Sequence, residues 1–97
     1  MLRYFFLGFV RIHILHHAVE EPIFGSGIKE ELARHGYDLS PGTLYPILHG
    51  LESQGYIESY DEVVKGKARK YYRTTQAGTA ALKEAKEKIA ELVKEVL

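Results

Sequence analysis

Between Lys65 and Arg73 the chain places five cations, Lys65, Lys67, Arg69, Lys70 and Arg73, with no acid among them. Ammonium and guanidinium groups at this density suit the phosphate backbone of a nucleic acid, whose condensed counterions they displace. Upstream lies Ser40-Pro41-Gly42-Thr43-Leu44-Tyr45. Ser40 is suited to cap a helix and Pro41 to begin one. The start of such a helix offers free backbone N–H groups and a positive dipole end, and Ser40, Thr43 and Tyr45 add hydroxyls. These groups suit phosphates and base edges. Each pattern also has a plainer meaning: a capped helix packed on its neighbours, and a solvated turn. The basic run adjoins the helix candidate, which favours the functional meaning.

The histidines form a second constellation. His13 and His17 are four residues apart and Glu20 follows three later, so all three can share one helix face. Imidazoles and a carboxylate on one face can hold zinc or a similar ion. No His/Cys-rich tract accompanies them, so a polar stripe meeting water or a partner is expected, with no metal and no cofactor. His16 and His35 are scattered, and His49, beside Leu48, is expected to be a hydrogen-bonded structural histidine. Titration of these histidines near neutral pH could make a dimer pH-sensitive.

An enzyme is not expected. There is no nucleophile elbow, no glycine-rich phosphate loop and no carboxylate pair with a pocket to hold it. The acidic pairs Glu20-Glu21 and Glu30-Glu31 read as solvated helix ends. Cysteine is absent, which excludes disulfides and thiolate chemistry and fits a cytoplasmic location.

Ninety-seven residues allow one domain, and a chain this small is a natural candidate for association with a second copy. A hydrophobic fraction of 45% with 27% charged residues is ordinary globular composition. Thirteen basic residues balance thirteen acidic ones, so attraction to a polyanion must come from a local patch. Outside the basic run the chain is net −5, with eight basic residues against thirteen acidic. Tyr4 to Val10 is apolar, but Arg11 and His13 interrupt it. It is too short to span a bilayer, so no membrane partner is expected.

Glycines and prolines divide the chain. Leu2 to Val19 reads as a helix apolar almost all round, closed by Pro22; such a helix is a buried one, partly covered by a second chain. Gly25-Ser26 opens a short second helix with Ile28, Leu32 and Ala33 inward and Gly36 as its stop. In the third helix, Leu44, Ile47, Leu48 and Leu51 face inward and Gly55 ends it. Pro46 is expected to make its first turn irregular. Tyr56 to Val63 and Ala68 to Thr74 read as strands of a hairpin turning at Val64 to Lys67. Thr75 caps a last helix in which Gly78, Leu82, Ala85, Ile89, Leu92 and Val96 repeat in steps of four and three, a coiled-coil-like seam.

The expected fold is mostly α with a small β-hairpin: a winged helix-turn-helix with an N-terminal helix and a long C-terminal dimerisation helix. It makes one domain over 1–97. Residues 1–20 form the dimer-supporting helix, 21–75 the helix-turn-helix and wing, and 76–97 the dimerisation helix.

Leu39-Ser40-Pro41-Gly42-Thr43-Leu44-Tyr45-Pro46-Ile47-Leu48, then Leu51-Glu52 and Gly55-Tyr56-Ile57, resembles the core motif of the PadR-like family of transcriptional regulators. So does Arg69-Lys70-Tyr71-Tyr72-Arg73-Thr74-Thr75 with Gly78 following. Phe24-Gly25 before Ile28-Lys29-Glu30-Glu31-Leu32 resembles the family's approach to its second helix. The likeness spans roughly Ile14 to Leu82.

The resemblance implies a homodimeric DNA-binding protein, usually a repressor, and a twofold dimer would need a pseudo-palindromic operator. The third helix would enter the major groove and the wing would lie on the backbone of double-stranded DNA. The matched DNA-facing positions are Ser40, Thr43 and Tyr45 on the helix and Lys65, Lys67 and Arg69 on the wing, with Lys70 added from the basic run. The dimer would use Phe5, Phe9, Leu82, Ala85, Ile89, Leu92 and Val96. Two departures stand out. Ser26-Gly27 replaces the aromatic residue common after the glycine, and a single C-terminal helix leaves no large effector-binding domain. The alternative is a winged helix serving as a protein-interaction module, against which the basic wing counts.

Overall fold

The computed structural model describes residues 2–97. Its elements are α1 (Leu2–Glu20), β1 (Ile23–Phe24), α2 (Gly25–Arg34), α3 (Pro41–Ser53), β2 (Ile57–Val64), β3 (Lys67–Thr74) and α4 (Gln76–Val96). The strands form one antiparallel sheet in the order β1-β3-β2. The hairpin is therefore part of a three-stranded sheet. Ile23 pairs with Tyr72 and Phe24 with Tyr71. Two residues after Pro22 are too few to show a period of two, so β1 has no sequence pattern of its own.

Both short helices stop where a glycine can turn left-handed. At α2, Gly36 (φ 89) donates to the Ala33 carbonyl and Tyr37 N–H to that of Leu32. At α3, Gly55 (φ 83) donates to Glu52 and Tyr56 N–H to Leu51. These are two Schellman motifs, each satisfying carbonyls that the helix end leaves open. The hairpin turn is tighter than expected. The ladder continues to Val64 opposite Lys67, and Lys65 (φ 52) and Gly66 (φ 77) make a two-residue left-handed turn.

The first turn of α3 is not irregular: the helix runs unbroken through Pro46. The carbonyl that loses its partner belongs to Gly42, an exposed residue, so water can satisfy it. Ser40 occupies the cap position in extended conformation, but its side chain caps no backbone N–H. Its Oγ donates instead to Thr43 Oγ1 at 3.3 Å. Thr75 is a true cap, accepting from Gly78 N–H at 3.0 Å and donating to the Gly55 carbonyl.

The core lies where α1, α2, α3 and the inner sheet face meet. Val10, Ile14, Leu32, Leu44, Leu48, Ile57 and Tyr72 are its most buried side chains. Ala33, expected inward, is exposed. Helix α1 is buried on one face only, through Val10, Ile14, Leu15 and Ala18. In α4 only Gly78 and Leu82 are buried.

Candidate nucleic-acid interface

The wing and the third helix meet in a cleft of about 260 Å³. Tyr45 of α3, Arg69 and Lys70 of β3, and Phe24, Gly25 and Ser26 at the start of α2 line it. Three of the residues singled out in the sequence thus come together. The Tyr45 hydroxyl lies close over Gly25, where an added Cβ would meet it unless the tyrosine side chain swung aside. The residue preceding α2, Phe24, has no polar side chain and makes no side-chain cap. The first N–H groups of α2 therefore remain available for an anion, beside Arg69 and Lys70. Gly25 and Ser26 were missed in the sequence as site residues; their only signal was a helix start without a capping side chain.

Ser40 and Thr43 do not line this cleft. Ser40 is exposed and Thr43 half-buried, and they share the hydrogen bond described above. Lys65 and Lys67 stand exposed at the hairpin tip.

The basic run is less basic in space than in sequence. The ladder sets Glu58 opposite Arg73, Asp61 opposite Lys70 and Glu62 opposite Arg69. Arg73 Nε donates to Glu58 Oε1 at 2.8 Å and its guanidinium lies 4.9 Å from the Tyr60 ring centroid, so it is occupied locally. The Arg69 guanidinium stacks on Phe24, and the Lys70 ammonium lies 5.9 Å from the Tyr72 ring centroid. Lys65 and Lys67 face no acid across the ladder.

A carboxylate fixes the wing to the helix. Glu52, near the end of α3, accepts from Ser59 N–H at 3.1 Å and from the Ser59 hydroxyl. The Ser59 hydroxyl bond holds the Glu52 carboxyl below its ordinary pKa, against the opposing effect of burial. Gly78 secures α4: a Cβ there would run into the Tyr56 carbonyl oxygen.

The apolar residues expected at a dimer interface are largely exposed in the single chain. Phe5 is 51% exposed, Phe9 45%, Ile89 40%, Leu92 57% and Val96 66%, and Ala85 is half-buried. Phe9, Ile12, Ile89, Leu92 and Val93 line a groove between α1 and α4 of about 510 Å³. Leu82 differs: at 4% exposure it is committed to the chain's own core.

The histidine stripe divides. His13 and His17 converge with His35, just past the end of α2, whereas Glu20 pairs with His16 at 3.2 Å. Burial, and then the neighbouring imidazoles of His35, His17 and His16, lower the pKa of His13; Glu31 opposes them. His49, expected to be a structural histidine, is exposed, because one residue beyond buried Leu48 the helix has turned outward.

The sequence profile of the Transcriptional regulator PadR-like family matches residues 14–84. Transcriptional regulator Rv3488 of Mycobacterium tuberculosis is 51% identical over 96 residues, covering 99% of this chain and 90% of that protein. Among solved structures, a PadR family transcriptional regulator from Eggerthella lenta superposes with a TM-score of 0.80 at 36% identity, covering 92% of this chain and 79% of that one. A PadR-like transcriptional regulator from Bacillus cereus gives 0.85 at 28% identity, covering 92% and 88%. The four helices and small antiparallel sheet are the winged-helix architecture of these regulators.

Proposed function

Because the chain belongs to the PadR-like family of transcriptional regulators, we propose that it binds a pseudo-palindromic operator as a homodimer and acts as a repressor in the cytoplasm. Among the described residues no helix is long and apolar enough to cross a membrane. The observation that carries the proposal is the shared cleft: Tyr45 of α3 and Arg69 and Lys70 of the wing open on one surface beside the uncapped start of α2.

The labour is divided. Lys65, Lys67, Arg69 and Lys70, with the N–H groups of α2, hold phosphates and supply affinity without sequence information. Ser40, Thr43 and Tyr45 present hydroxyls to base edges in the major groove and supply discrimination. The exposed faces of α1 and α4 support pairing with a second chain, through Phe5, Phe9, Ala85, Ile89, Leu92 and Val96. A twofold dimer then places two α3 helices on half-sites about one helical turn (~34 Å) apart.

Selection of bound duplexes from a random pool by the full chain tests this proposal. It should enrich two inverted half-sites at that spacing. If no duplex were retained even at low salt, the protein-interaction role would replace it.

A further inference from the structure

A second cluster lies away from the cleft, between α1 and α2. His13 and His17 of α1 and His35, which follows the last residue of α2, each bring an imidazole nitrogen within 4.8 Å of the others. Glu31 stands beside them. Its Oε1 is 3.8 Å from His17 Nε2 and 3.5 Å from His35 Nε2. Its other oxygen, Oε2, is held by Arg34 Nη1. His17 Nε2 is buried and has no hydrogen-bond partner among the described residues. A buried polar nitrogen without a partner is costly, and a bound ligand is one way such a group is satisfied.

We propose that His13, His17, His35 and Glu31 Oε1 form a site for a divalent transition-metal ion of the Zn2+ class, joining α1 to the end of α2. Three imidazoles and one carboxylate are a four-coordinate set for zinc. Ligand atoms about 2.0–2.1 Å from a tetrahedral ion lie roughly 3.3 Å from one another. Glu31 Oε1 already lies 3.8 and 3.5 Å from two of the three imidazoles, and to complete the set it must also close on His13. The rings of His13 and His35 are stacked 4.7 Å apart and must unstack to aim their nitrogens at a common point. Nitrogen ligands select against calcium and magnesium, which take oxygen. Arg34 orients the ligating carboxylate from outside, as second-layer partners of metal ligands do.

Two elements supply the ligands, which is why the sequence pattern alone did not show the site. His13, His17 and Glu20 share a helix, but the third imidazole comes from His35, eighteen residues beyond His17. The site contains none of the residues assigned to DNA, so its test does not depend on DNA binding.

The experiment is a Co2+ and Zn2+ titration of the metal-stripped full chain, followed by visible absorption, calorimetry and thermal melting. One ion should bind per chain, with the strong d–d absorption of tetrahedral Co2+ and its displacement by Zn2+. Free Zn2+ at a hundredfold over Kd should raise the melting temperature by roughly 10 °C. His35→Ala and His17→Ala should lose the absorption and the shift. His35 is partly exposed, so its variant should keep the far-ultraviolet dichroism of the fold. His16→Ala and His49→Ala should retain both signals. The proposal is overturned if the unmodified chain binds no Co2+ or Zn2+, or if folded His35→Ala binds them undiminished. Loss of the signal on His16→Ala to the same extent as on His35→Ala would also overturn it, since His16 lies outside the four ligands.

Discussion

The guanidinium carbon of Arg69 lies 4.3 Å from the centroid of the Phe24 ring. Arg69 is thereby held against the residue that immediately precedes α2, which joins two distant segments of the proposed phosphate-binding surface. A cation–π contact of this kind is worth about 0.5–1 kcal/mol where partly exposed. Phe24→Leu should therefore weaken DNA binding by roughly two- to fivefold per half-site. The loss should be equal on specific and random duplexes, measured by fluorescence anisotropy.

Two glycines in helices should respond oppositely to alanine. At Gly78 the new methyl would collide with the Tyr56 carbonyl, a backbone atom that cannot move aside cheaply. Gly78→Ala should cost on the order of 1–3 kcal/mol and lower the melting temperature accordingly. At Gly50, within α3, a methyl meets nothing within 4 Å. Gly50→Ala should stabilise by roughly 0.5–1 kcal/mol. Urea unfolding of both variants measures the two signs directly.

Glu52 sets a pH dependence. Its carboxyl is held below its ordinary pKa by the Ser59 bonds, so it favours folding while ionised in the native state. That contribution is full above the unfolded carboxylate pKa of about 4.3 and is lost as pH falls through the lower folded value. Glu52→Gln should lower stability at pH 7 by about 1 kcal/mol, and the difference should shrink as the solution is acidified below about pH 4. Denaturant titrations of the two proteins across this range would show the convergence.

Much of the fold was legible because local signals agreed with tertiary ones. Gly36 and Gly55 marked helix ends that the structure closes with left-handed glycines, and Thr75 marked a cap that bonds as a cap should. What sequence could not carry was pairing across distance. β1 exists only because Ile23 and Phe24 lie against Tyr72 and Tyr71. The acid-free run of Lys65 to Arg73 faces Glu58, Asp61 and Glu62 once the strands are in register. The cleft itself required Tyr45 to lie over Gly25, a contact between two helices. His13 and His17 gained His35 in the same way.

The dimer is testable without DNA. Ile89 is 40% exposed in the single chain, so a carboxylate there should leave the fold intact while burying an unpaired charge in any pairing of α4. Light scattering at micromolar concentration should give about twice 11.0 kDa for the unmodified chain. Ile89→Asp should shift it towards the monomer with unchanged far-ultraviolet dichroism. An unmodified chain that stayed monomeric would remove the twofold operator from the account.

The division between phosphate and base recognition is tested most directly by a salt-series anisotropy titration of four variants on a selected site and on random duplex. Lys67→Ala and Arg69→Ala should weaken both duplexes alike and flatten the log–log salt dependence by roughly one unit for each phosphate deprived of its cation in each half-site. Thr43→Ala and Tyr45→Ala should instead narrow the gap between the two duplexes, by about 1–3 kcal/mol for each base deprived of its hydroxyl partner, with the salt slope unchanged. If wing and helix variants weakened in the same proportion on both duplexes, with the same change in slope, the divided mechanism would be contradicted.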